Sequence, residues 1–93
     1  MIIGFRDREA EKIFNAERSK KLPGDIQAAA RRKLLMLDAA IAVDDLKNPP
    51  GNHFEALHGD RDGWYSIRVN SKWRICFTWS DAGADGVEIV DYH

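Results

Sequence analysis

Three residues at the end of the chain, Asp91-Tyr92-His93, set a carboxylate, a phenol and an imidazole side by side. An imidazole titrates near pH ~6.5 and a neighbouring carboxylate favours its protonated form, so His93 can give or take a proton. In an ideal strand Asp91 and His93 share a face and Tyr92 takes the other, so all three meet one substrate only if the last residues leave the sheet. Arg68 and Arg74 supply the complementary chemistry. Guanidiniums on adjacent strands, with the Ser66 and Thr78 hydroxyls on the same face, make a candidate phosphate site, because the planar arginine fork matches phosphate oxygens. Acid–base groups beside a cation suffice to cut RNA. Its own 2′-hydroxyl attacks the adjacent phosphorus if a base takes the proton, a cation holds the developing charge and an acid protonates the departing 5′-oxygen.

Other chemistries find less support. His53 and His58 are five apart in a strand-like segment, a poor arrangement for zinc, so no metal site and no cofactor is expected. No glycine-rich phosphate loop, Ser/His/Asp signature or paired catalytic carboxylates can be read. Cys76 is the single cysteine, so no internal disulfide forms, and it reads as a small strand residue. The net charge of −1 and pI near 6.3 exclude a protein that coats nucleic acid by bulk positive charge; an RNA contact must be local. Asp38 interrupts the most apolar stretch and the N-terminus lacks a signal-like pattern, so the chain is expected in the cytoplasm. Trp73 and Trp79 alternate in phase with Ile75 and Phe77 and belong to a core. Trp64 shares the face of Arg68 and is the candidate for stacking on a nucleobase.

These groups must be positioned by a hairpin. Tyr65, Ile67 and Val69 alternate with Trp64, Ser66 and Arg68; after a tip at Asn70-Ser71, Trp73, Ile75, Phe77 and Trp79 alternate with Arg74, Cys76 and Thr78. One face needs a core and the other is expected to stay open. Residues 1–5 form a first strand of the same sheet. Asp7 caps a short helix from Arg8, with Ala10, Ile13 and Phe14 inward. Asp25, after Pro23-Gly24, caps a long helix over 26–43 that buries Ile26, Ala30, Leu34, Leu37 and Ile41. A rigid loop at residues 48–52 leads to a strand over 53–58. There Phe54 and Leu57, three apart, cannot both face the core without a twist or bulge near Glu55. Residues 59–63 turn into the hairpin, 80–86 form a loop, and 87–92 are the last strand. The 93 residues thus form one α+β two-layer domain, β-α-α-β-β-β-β, with two helices covering a mainly antiparallel sheet.

The stretch PPGNHFEALHGDRDGWYSIRVNSKWRICFTW, followed by VEIVDYH, closely resembles the HigB branch of the RelE/ParE toxin superfamily, and the order of elements matches that fold over essentially the whole chain. The motif residues are Gly59-Asp60-Arg61, Ser66-Ile67-Arg68, Trp73-Arg74-Ile75 and the terminal Asp91-Tyr92-His93. The resemblance implies a toxin of a type II toxin–antitoxin pair that enters the ribosomal A site and cuts mRNA without a metal. It points to Arg74 as the cation at the phosphate, and to Asp91, Tyr92 and His93 as the terminal catalytic group. Relatives carry basic residues in the strand before the Gly-Asp-Arg turn, where this chain has Glu55 and His58. His58 can still supply a proton or partial positive charge and Glu55 cannot, so a modest toxin is expected. Arg68, Trp64, Glu55 and Arg61 complete the expected RNA-binding set.

Ribosome dependence accounts for the near-neutral charge, since the ribosome holds the mRNA in place. Arg6, Arg8, Lys12, Lys20, Lys21, Arg31, Arg32 and Lys33 are candidate docking charges. The resemblance also implies a helix-turn-helix, HigA-like antitoxin, in a heterotetramer that reaches operator DNA through the antitoxin. Two alternatives share the fold: a ParE-like inhibitor of DNA gyrase, and a weak or degenerate toxin acting mainly by binding its antitoxin.

Overall fold

The structure is a computed structural model that describes residues 1–91. Asp7 caps helix α1 (Arg8–Phe14), its carboxylate accepting the Glu9 N–H at 2.9 Å, and Ala10 and Ile13 on the inner stripe are buried. The charged linker after α1 is pinned at one buried serine. Ser19 donates to Glu9 at 2.7 Å and accepts from the Lys21 and Leu22 N–H groups, while the Gln27 amide brackets its backbone. Helix α2 (Gly24–Ala39) buries Ile26, Ala30, Leu34 and Leu37 at helical spacing.

Its ends differ from expectation. Pro23 takes the N-cap position, leaving Asp25 in the first turn, where its charge still suits the helix dipole. At the other end the Asp45 carboxylate accepts the Ile41 and Ala42 N–H groups at 3.0 Å each. Those bonds start a new 3-10 turn over Val43–Lys47 and stop the helix at Ala39, so Ile41 is 92% exposed. The next loop hangs on Asn52, fully buried, which donates to the Leu46 and Asn48 carbonyls and accepts from Lys33 Nζ at 2.5 Å. Lys33 is therefore held to the fold.

Four strands follow: β1 (Glu55–Ala56), β2 (Trp64–Arg68), β3 (Trp73–Ser80) and β4 (Gly83–Asp91), an antiparallel sheet in sequence order. Strand β1 is shorter than the expected 53–58, because His53 sits in the left-handed region at φ 43. Its register is regular, Glu55 opposite Ser66 and Ala56 opposite Tyr65. No bulge is needed there: Phe54 stacks on Tyr65 with ring centroids 5.5 Å apart, while Leu57 faces the other side of the sheet. The register shift lies between β3 and β4, at Cys76/Thr78. Strand β4 also starts earlier than expected, at Gly83, where φ is +129 and a Cβ would fall 2.1 Å from the Met1 carbonyl oxygen. Only glycine allows that approach, and it lets the N-terminal segment join β4 in parallel through bridges Ile2–Ala84 and Phe5–Val87. The segment is a pair of bridges where a full strand was expected.

Both helices pack on the sheet, with Leu34, Leu37, Ile67, Ile75, Phe77, Val87 and Ile89 at the centre of one core. The domain is thus α+β, two helices on a four-stranded antiparallel sheet. Among the described residues, no helix is long and apolar enough to cross a membrane.

Candidate active site

Cα partners across a ladder share a face, so the register assembles the second face directly. Arg68 lies opposite Arg74, Ser66 opposite Cys76, Cys76 opposite Glu88 and Arg74 opposite Val90. This face is not open at its centre: Ser66 and Cys76 are buried and Arg74 is only 7% exposed. The chain between His53 and Arg61 reaches over it from the β1 edge, touching Arg74 at one end and Glu88 at the other.

Arg74 is deeply engaged. Its Nε donates to the Ser66 hydroxyl at 2.9 Å, its Nη2 donates to the His53 and Ser66 carbonyls, and its Nη1 lies 3.6 Å from the Glu55 carboxylate. The left-handed turn at His53 is what aims that carbonyl at the guanidinium. Ser66 thus spends its hydroxyl on Arg74. Thr78 stands farther along the sheet, opposite Trp64, and donates to the Asp85 carbonyl at 3.3 Å, so the expected cluster of two arginines and two hydroxyls is not formed. Arg68 is more open; its Nε donates to the Asn70 carbonyl and its Nη1 lies 3.5 Å from His53 Nε2.

A cavity of about 320 Å³ opens beside this arrangement, lined by Leu57, His58, Arg61, Cys76, Val90 and Asp91. Three expected site residues, His58, Arg61 and Asp91, therefore meet in one place. His58 is exposed at the start of the 3-10 turn Gly59–Arg61, and Asp91 at the end of β4 pairs with Lys72 at 3.5 Å. Arg61 Nη1 donates to Glu88 at 2.9 Å, which holds the guanidinium firmly charged. Burial pushes the Cys76 thiol up, so it stays neutral on the cavity wall. Trp64 lies under Arg61, 4.5 Å from its Cζ to the ring centroid, and Arg6 approaches the same ring at 5.7 Å. Glu55 sits at the Arg74 side. Tyr92 and His93 lie outside the described residues. Among the described residues, no group of three or more His, Cys, Asp or Glu side chains is arranged to hold a metal ion.

Sequence reasoning missed Glu88 and the apolar walls Leu57 and Val90. The signal for Glu88 was present: it is a lone carboxylate inside the apolar strand Val87–Val90, in phase with Cys76 across the ladder.

Comparison with known proteins bears on what this surface is for. The family model for a HigB-like toxin, a RelE-like toxin of type II toxin–antitoxin systems, matches residues 3–93. The chain is similar to Toxin HigB-1 of Vibrio cholerae serotype O1, 45% identical over 93 residues that cover 99% of this chain and 94% of that protein. It is also similar to Endoribonuclease HigB of Proteus vulgaris, 28% identical over 93 residues covering the whole of both chains. With the fold described above, the match over nearly every residue means that this chain belongs to the HigB-like toxin family of type II toxin–antitoxin systems.

Proposed function

We propose that this toxin is an endoribonuclease that stops translation by cutting mRNA in the ribosomal A site. The observation that carries the reading is the cavity where His58, Arg61 and Asp91 converge one strand from Arg74. The name of the Proteus vulgaris relative, an endoribonuclease, supports the same chemistry. The RNA 2′-oxygen attacks phosphorus, its proton passes to a base, the P–O5′ bond breaks and the departing oxygen takes a proton from an acid. The products are a 2′,3′-cyclic phosphate and a 5′-hydroxyl. Asp91, Tyr92 and His93 are assigned the proton transfers together, and His58 on the cavity wall can supply a further proton or partial positive charge. Arg61 offsets charge on the phosphorane from the cavity wall, Arg74, turned inward toward Ser66 and His53, adds only its positive field, and Arg68 and Trp64 meet the flanking strand. No step requires a metal, since the nucleophile belongs to the RNA.

Dependence on the ribosome fits a net charge of −1: a free nuclease must grip RNA through its own surface, whereas a docked toxin receives RNA already held. The family supplies an antitoxin partner. We take that antitoxin to be a helix-turn-helix protein, joined with the toxin in a heterotetramer that reaches operator DNA through the antitoxin, in the cytoplasm. The test is a defined translation reaction in which mRNA 5′ ends are mapped, with naked mRNA and a chain lacking His93 alongside. Cuts are expected only on translated mRNA, persisting in EDTA and lost with His93. Intact mRNA in every lane would overturn the proposal and turn attention to DNA supercoiling.

A further inference from the structure

Glu88 is in an unexpected place for a protein that handles RNA. It stands on the sheet face that carries the candidate site, only 13% exposed, and a carboxylate there repels a polyanion. What it does is hold arginines. Its Oε2 accepts Arg61 Nη1 at 2.9 Å and lies 3.8 Å from Arg6 Nη1, and both guanidiniums lie over Trp64. Arg61 starts from the turn between β1 and β2, whereas Glu88 is on β4, with β3 between β2 and β4. The arginine therefore extends across the sheet past Cys76, and the carboxylate at the far end fixes where its charge sits. Trp64 supports the face of the guanidinium but leaves it free to slide and turn over the ring, and the carboxylate supplies the directional contact that fixes it.

We propose that Glu88 is a positioning residue for RNA cleavage, fixing Arg61 in the cavity wall as the cation that meets a phosphate of the bound RNA strand. The inference rests on the nuclease reading above and adds to it the residue that sets the cation's place. Its logic divides the two arginines. Arg74 is turned toward Ser66, His53 and Glu55, while Arg61 lines the cavity with one edge of its fork on Glu88. The planar fork can bind carboxylate on one edge and phosphate on the other.

The sign of one substitution separates positioning from simple charge. Glu88→Gln removes a negative charge from a polyanion-binding face, so if Glu88 were only a charge the variant would bind and cut RNA better. Positioning demands the reverse. The experiment compares full-length wild type, Glu88→Gln, Arg61→Ala, the double variant and Arg61→Lys. One arm measures cleavage of translated mRNA at saturating toxin. The other measures binding to ribosomes programmed with an mRNA carrying 2′-O-methyl groups in the A-site codon, which has no nucleophile to react. Thermal melting monitors the fold of each variant.

Glu88→Gln is expected to cut on the order of tenfold more slowly, with the double variant no worse than Arg61→Ala alone, because the two residues act as a unit. Arg61→Lys, which keeps the charge and loses the two-edged fork, is expected to show a similar loss, and it decides the matter should Glu88→Gln melt early. Cutting by Glu88→Gln at or above the wild-type rate, or losses that multiply in the double variant, would overturn the inference. If wild type binds the programmed ribosome and cuts nothing, the nuclease reading fails, and the binding arm still judges Glu88. Weaker binding of both single variants, without further loss in the double, sustains its positioning role. Unchanged or tighter binding, or no binding by wild type, overturns it.

Discussion

Ile67, Ile75, Phe77 and Ile89 on one side of the sheet, and Ser66, Arg74, Cys76 and Glu88 on the other, are interleaved along the same three strands. The first set is buried by two helices and needs nothing but shape. The second is also largely buried, by a stretch of loop and a two-residue strand, and every polar group named there has a partner: Arg74 has Ser66, His53 and Glu55, and Glu88 has Arg61. The difference is one of tolerance. Apolar packing is non-directional, whereas a buried guanidinium depends on each acceptor being where its fork points. A site built on the second face inherits that precision, since Arg74 ties the loop at His53 and Arg61 ties the turn at Gly59–Arg61.

The comparison can be broken by substitutions on either side. Phe77→Ala, in the fully buried apolar layer, is expected to cost about 3–5 kcal/mol in a urea titration, with cleavage falling only as the folded fraction falls. Arg74→Ala leaves the Ser66 hydroxyl and the His53 carbonyl short of a donor, so it is expected to lose about 2 kcal/mol as well as mRNA cutting. A urea midpoint equal to wild type would show that the second face is not held by its arginine. Because of that structural share, loss of cutting in Arg74→Ala cannot by itself be read as chemistry. Glu55→Gln tests the same site more gently. Glu55 is half exposed and 3.6 Å from Arg74, so stability is expected to change by less than about 1 kcal/mol. Cleavage is expected to rise by a factor of roughly two to five as negative charge leaves the RNA side, measured as initial rate on translated mRNA. A fall in rate would mean that the carboxylate orients Arg74.

Smallest is a pH effect in the helix layer. The hydrogen bond from Ser19, helped by Lys12 and Lys21, holds the Glu9 carboxyl below the usual glutamate value. A carboxylate with a depressed folded-state value contributes stability above its unfolded value and loses it as pH falls through the folded one. Wild type is therefore expected to be more stable than Glu9→Gln near neutrality, with the gap closing on acidification below the ordinary glutamate range. Thermal melts at stepped pH measure it; a gap independent of pH would assign the effect to the hydrogen bond alone.

Much of this architecture was legible in the chain. The alternation through Tyr65, Ile67, Ile75 and Phe77 gave the hairpin and put Arg68 and Arg74 on one face of it, because side chains alternate with period two. Their direct opposition and the burial of that face came only with the structure. Helix α1 and its Asp7 cap followed from local preferences. The misses are tertiary. Ile41 fits the helical stripe, yet Asp45 offers its backbone a better partner four residues on. Gly83 reads as loop until the Met1 carbonyl is seen packed against it. Of the site, the sequence marked His58, Arg61 and Asp91 as candidates without saying that they meet. The terminal residues Tyr92 and His93 remain expectations carried by the motif.

By itself the sequence determined which residue types are available for RNA chemistry, the α+β class and the family, since these depend on composition, short-range periodicity and motif spacing. Only the tertiary structure decided which arginine is turned inward and which lines the cavity. That choice depends on acceptors far away in the chain, Glu88 for Arg61 and the His53 carbonyl for Arg74. A guanidinium goes where its fork is satisfied, and no local pattern records the position of a partner that arrives from another strand.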